Sequence, residues 1–200
     1  MLTDNGTSYN LVSLQILWEN RFAYNNGSRA LTSVDGTDCP IWEPSPFSNR
    51  WWSWKLNGAG LRYEVAICIQ SGMIVWVNGP FPPAYWTDLN IFRFGLMFAL
   101  QVGEWVVGDK GYRDGMNFII PKGFGPEWYR NMVAMATARH ENVNCRLKRF
   151  GILCQRYPQD INQHEETFLA IAINFEMELG YEPMDVHYDD TQLDLDQTVF

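Results

Sequence analysis

The chain has 200 residues, 46% of them hydrophobic, with twelve Phe and nine Trp to fill an interior. That length suits one domain with a sizeable core, and the composition excludes a chain disordered throughout. The formal charge of −8 argues against a plain nucleic-acid binder until its distribution is read. No apolar stretch reaches the ~20 residues a membrane helix needs, and the opening MLTDNGTSYN has no basic-then-apolar order of a secretory signal.

In chain order, Asn10 caps a helix expected through about Tyr24, with Leu11, Leu14, Trp18 and Phe22 at helical spacing. ALTSVDGTDCPI reads as a strand that leaves through Asp35-Gly36. EPSPFSNRWWSWKLNGAG, with two prolines and three tryptophans, reads as irregular. LRYEVAICIQSGMIVWVNGPFPP is two β-rich runs joined at Ser71-Gly72, a hairpin pattern. WTDLNIFRFGLMFALQ is a helix capped by Thr87 or Asp88, GEWVVGD a short buried strand, and NFIIPK a candidate further strand. Residues 126–154 are helical with a bend, and INQHEETFLAIAINFEMELG is a last helix closed by Gly180. That order predicts an α/β fold, a mixed sheet with helices packed on it.

The charge is unevenly spread. Residues 176–200 hold eight acidic and no basic residues, so this tail carries the whole −8, and the body is neutral with 15 of each sign. Within the body a basic stripe, Arg139, Arg146, Lys148, Arg149 and Arg156, faces the single Glu141. Taken alone it reads as a solvated helix face. The four cysteines, Cys39, Cys68, Cys145 and Cys154, form no CxxC pair and read as reduced thiols of an intracellular protein without a zinc site.

Three carboxylates sit at awkward places. Asp35 precedes Gly36 after a strand-like run, Asp109 ends another such run in VVGDKGYRD, and Glu141 lies off the apolar Val143–Leu147–Phe150 face of its helix. Each alone has a plain reading, as hairpin turn, loop or solvent-facing residue. Together at one sheet edge they would repel one another unless divalent cations sat among them, and Mg²⁺ favours such carboxylate oxygens. HENVN is not the HExxH of a zinc protease, because Asn144 stands where the second histidine would be. His140 and His164 read as packing or cap-region residues, and no GxSxG marks a nucleophile. Trp51, Trp52 and Trp54 read as packed against the body in preference to stacking on bases.

SVDGTDCPIWEPSPF, VVGDKGYRD and ARHENVNCRLKRFGIL resemble the three signature blocks of DDE-superfamily endonucleases, nearest in type to Harbinger-like transposases and proteins derived from them. The resemblance runs from about residue 29 to 188, with the three carboxylates 74 and then 32 residues apart. It implies a ribonuclease-H-like fold with Asp35, Asp109 and Glu141 as both the catalytic and the metal-holding triad. Two Mg²⁺ or Mn²⁺ ions, hydrolysis of DNA phosphodiesters and joining of 3′ ends to target DNA follow from it. Lys110, Arg139, Arg146, Lys148 and Arg149 are then candidate phosphate contacts. The expected organisation is a lead-in helix at 1–28, a catalytic domain at 29–180 and an acidic tail at 181–200. The lead-in is too short for the helical DNA-binding region of such relatives, so the expectation is a fragment, a separate DNA-binding protein as partner, or a decayed or domesticated copy; no membrane partner is expected, and oligomerisation stays open. A nuclear location is expected. The other reading is a catalytically silent, transposase-derived interaction or DNA-binding protein.

Overall fold

The computed structural model describes residues 18–22, 28–46, 48–113, 117–121 and 126–178. Most of the helix expected at 10–24, the acidic tail and the closing Gly180 lie outside the described residues.

The fold is built on a six-stranded mixed sheet. Its strands are β1 (Ala30–Pro40), β2 (Trp52–Ser53), β3 (Gly58–Cys68), β4 (Ile74–Phe81), β5 (Trp105–Val107) and β6 (Phe118–Ile119). β3 is central and antiparallel to β1, β2 and β4, whereas β1, β5 and β6 run parallel. Tyr63, Val65, Ala66, Ile67 and Cys68 of β3 are all fully buried. A strand covered on both faces needs such an unbroken run instead of alternation. The β3–β4 hairpin turns at Gly72, whose φ of 76° suits a residue without a Cβ.

Helices cover both faces. α1 (Asp88–Phe94) starts at Thr87, whose hydroxyl accepts from the Asn90 N–H, and α2 (Leu96–Ala99) follows a break at Gly95. The single helix read over this stretch is therefore two. With Trp18 they bury Val34, Ala66 and Val106 on one face of the sheet. α3 (Glu127–Leu147) and α5 (His164–Glu178) cover the other, where Cys39, Tyr63, Val143, Leu147 and Phe168 form one core. Tyr63 stacks on Phe168 with ring centroids 4.0 Å apart. The bend expected after α3 is real: the chain turns at Lys148–Phe150 into α4 (Gly151–Cys154). This mixed α/β architecture agrees with a ribonuclease-H-like fold. No helix among the described residues is long and apolar enough to cross a membrane.

One local reading is corrected. β1 does not leave at Asp35-Gly36 but runs straight through it to Pro40, with Asp35 opposite Val65 and Gly36 opposite Glu64. The glycine answers to packing, because a Cβ there would stand 2.1 Å from Oδ1 of Asp88. GAG at 58–60, read as irregular, opens β3. Gly36→Ala is expected to push the Asp88 carboxylate away from Lys55 and Arg62 and to destabilise the fold by about 1–3 kcal/mol. The urea midpoint checks this; an unchanged midpoint would show that Asp88 can move without cost.

Candidate active site

β1 and β5 are parallel neighbours, with Ser33 opposite Val107. Asp35 and Asp109 each stand two residues further on, so the register carries the two acids out side by side. Alternate β1 residues face α3: Ser33 Oγ is 3.1 Å from Nδ1 of His140, and Asp35 Oδ2 accepts from Nδ2 of Asn144 at 3.3 Å. Asp35 Oδ1 accepts from the Gly36 N–H at 2.7 Å. Burial pushes the Asp35 carboxyl up to about 6; Asp88 and Asp109 add to the rise, while Lys55 and the Gly36 N–H oppose it. Asp35 thus feels Asp109 directly.

The loop after β5 is held from inside. Asp109 is exposed, and its Oδ1 accepts from the Gly111 N–H at 2.7 Å, which folds the loop back on the acid. Tyr112 is fully buried and packs on Phe92 and Phe118. Burial lifts its hydroxyl well above the ordinary tyrosine range. Tyr112 therefore anchors the segment that presents Asp109. Its core position, three residues after the acid, was not read from the sequence, although an aromatic soon after a strand-end Asp was the available signal.

Glu141 is exposed on α3, with no hydrogen bond or ion pair to either Asp among the described residues. Its neighbours His140 and Asn144 make polar contacts with Ser33 and Asp35 of β1. At about 100° per residue, Asn144 lies between His140 and Glu141 around the helix, so Glu141 flanks the face that meets the strand. Among the described residues no group of three or more His, Cys, Asp or Glu is arranged to hold a metal ion. Asp35 senses the charge of Asp109, whereas Glu141 stays exposed with no polar contact to either among the described residues.

Three contributors went unread. Asn144 holds Asp35, and its Oδ1 is buried with no hydrogen-bond partner among the described residues. Lys55 Nζ donates to the Gly36 carbonyl at 2.8 Å and lies 3.4 Å from Asp88 Oδ2, which places a cation behind the acids. Asp88 itself lies behind Gly36, with Oδ1 3.4 Å from Nη1 of Arg62, an ion pair without hydrogen-bond geometry. His140 and His164 pack as expected: both are buried, and burial lowers each to about 4, which leaves them neutral.

The basic candidates divide. Lys110, Lys148 and Arg149 are exposed. Arg139 donates to the carbonyls of Ile69 and Gln70, which engages its guanidinium with the β3–β4 turn. Arg146 is half-buried. Trp51 and Trp52 are half-buried, whereas Trp54, read as packed, is 83% exposed.

Behind the site, Glu64 is fully buried; one oxygen accepts from Trp76 Nε1 at 3.0 Å and the other has no partner among the described residues. Burial raises its carboxyl from 4.5 to about 8, with the Trp76 bond opposing and Asp88 adding. The folded chain therefore holds this proton more tightly than the unfolded chain. Stability is full below the unfolded value and is lost as pH rises from about 4.5 to about 8. Glu64→Gln removes that loss and should stabilise the protein by roughly 3 kcal/mol near pH 8, with little gain near pH 4. Thermal melts across this range test it; a gain independent of pH would contradict it.

A mixed sheet with helices on both faces, and with Asp35 and Asp109 just past the paired ends of its parallel β1–β5 pair, defines an α/β protein with two acids near one sheet edge. Residues 34–173 match the family described as DDE superfamily endonuclease, and the chain belongs to that family. The matched span contains Asp35, Asp109 and Glu141. Comparison with curated proteins gives no match, and neither does comparison with solved structures. The chain is thus a DDE-type endonuclease by family, with DNA as the substrate class that family implies.

Proposed function

We propose that the chain is the catalytic domain of a divalent-metal-dependent DNA nuclease of Harbinger-like transposase type, with Asp35, Asp109 and Glu141 as its acidic triad. The observation that carries this reading is the placement of Asp35 and Asp109 two residues past the paired Ser33 and Val107, with Asp35 raised to about 6 mainly by burial and further by Asp88 and Asp109. A carboxylate buried against like charge is a group that a cation would stabilise. The donors are all oxygen, which suits Mg²⁺ or Mn²⁺. Asp35 and Asp109 would hold two such ions, with Glu141 completing one site. When bound, they supply an activated attacking oxygen and charge neutralisation at the leaving oxygen. Asn144 and the Gly36 N–H keep Asp35 in one orientation, and the Asp109–Gly111 turn does the same for Asp109.

In this reading Lys110, Lys148 and Arg149 contact phosphates from the exposed surface, with Arg139 and Arg146 of α3 as further contacts. Joining of 3′ ends to target DNA, a nuclear location, a separate DNA-binding partner and the division into lead-in, catalytic domain and tail belong to the same proposal. The exposure of Glu141 favours one competitor, a catalytically silent protein derived from such an enzyme.

Supercoiled plasmid incubated with the full chain in Mn²⁺, in Mg²⁺ and in EDTA tests the proposal. Cleavage that needs a divalent ion and falls ~100-fold or more in Glu141→Ala is expected. Cleavage that persists in EDTA, or that survives Glu141→Ala, would rule the triad out. No cleavage by a folded protein would favour the silent reading.

A further inference from the structure

An aromatic cleft lies apart from the acids. The chain leaving β1 is tied to Tyr157, whose N–H donates to the Pro40 carbonyl at 3.0 Å, with Ile41 bridged to the same residue. Beside this junction Trp42, Trp51, Trp52, Glu43 and Arg156 line a cleft of about 470 Å³. Trp42 is 61% exposed. The Arg156 guanidinium lies 4.9 Å from the Trp42 ring centre, and that of Arg50 lies 4.5 Å from Trp51. The open Trp54 meets Trp52 edge-on at 6.0 Å. Single exposed aromatics need no explanation, but a cluster sharing one cleft does.

We propose that this cleft binds unpaired nucleotides of the DNA substrate by stacking their bases on Trp42 and its neighbours. The inference rests on DNA as the substrate class. Every base offers a π face, so a tryptophan platform binds single strands without needing sequence. Guanidinium planes already seated on two of the rings extend the stacking surface and bring positive charge for the adjoining phosphates. Glu43 supplies an acceptor for an exocyclic amino group. Tryptophan grooves also take proline-rich peptides, but a peptide of that kind has no phosphate for Arg50 and Arg156 to meet. Pro40 is five residues beyond Asp35 on the same strand, ~16 Å away at the usual rise. Nucleotides held here would lie about that far along β1 from Asp35.

Anisotropy with labelled oligo-dT, a matching duplex and an oligoproline peptide, all in EDTA, tests the cleft on the full chain. Trp42→Ala and Arg156→Ala should each weaken oligo-dT binding by about tenfold and leave duplex binding unchanged. Both side chains reach the surface, and circular dichroism checks that the variants fold. Wild-type oligo-dT affinity in both variants would overturn the proposal. So would oligoproline binding that depends on Trp42 while oligo-dT binding does not. Asp35→Ala separates the two readings: it should spare oligo-dT binding while abolishing cleavage. A chain that never cleaves yet loses oligo-dT through Trp42→Ala would sink the nuclease reading alone.

Discussion

Asp35→Ala and Asp109→Ala will each lower metal-dependent DNA cleavage by about 10³-fold or more, with the fold intact. The magnitude follows from the several kcal/mol of transition-state charge stabilisation a divalent ion supplies, at 1.36 kcal/mol per tenfold. Stability should move the other way for Asp35. Its carboxyl is raised from 3.8 to about 6, so its ionisation costs the folded chain stability that is lost as pH rises through that range and stays lost above it. Removing it should leave the metal-free protein as stable as wild type, or more so, at pH 8. Asp109 is exposed, and its loss should leave stability unchanged. Cleavage rates beside thermal melts for both variants check the pair of claims. Loss of activity through unfolding would contradict them.

Asp38→Ala will be the most destabilising single change on β1. Asp38 is 1% exposed and receives Arg62 Nε at 2.7 Å, Arg62 Nη2 at 2.9 Å and the Ser53 hydroxyl at 2.5 Å. Burial alone would push its carboxyl up; the Arg62 and Ser53 bonds and the guanidinium charge outweigh that and hold it below the ordinary range. Its stabilisation is present above the unfolded value of about 3.9 and is lost as pH falls below it. Removing one partner of such a pair strands the other charge and costs ~3–5 kcal/mol. Urea unfolding should show a lower midpoint for Asp38→Ala, with part of the loss restored in Asp38→Ala/Arg62→Met. An additive double variant would mean that the two residues do not act as a pair.

Much of the fold was legible because its signals are local. The hairpin turned where Ser71-Gly72 stood, Thr87 capped its helix, and the apolar WVV run formed a buried strand. Asp35-Gly36 misled because a turn propensity is local while its competitors are not. Val65 and Glu64 pair with this dipeptide, and Asp88 requires the missing Cβ. Trp54 misled because exposure is a property of the assembled surface and not of residue type. At the site, spacing and block resemblance pointed to Asp35 and Asp109, and both follow the paired Ser33 and Val107 by two residues. Lys55, Asp88 and Asn144 come from a turn and two helices whose approach to β1 is decided by tertiary packing. Nothing in their own neighbourhoods marks them.

The decisive measurement is calorimetric titration of Mn²⁺ into the wild-type chain and into Asp35→Ala, Asp109→Ala and Glu141→Ala, without DNA and then with a nicked duplex present. Binding lost in both aspartate variants, and weakened in Glu141→Ala once DNA is present, is the predicted result. Wild-type binding that survives both aspartate substitutions, or a folded wild type that binds no ion even with DNA, would contradict the metal-holding triad.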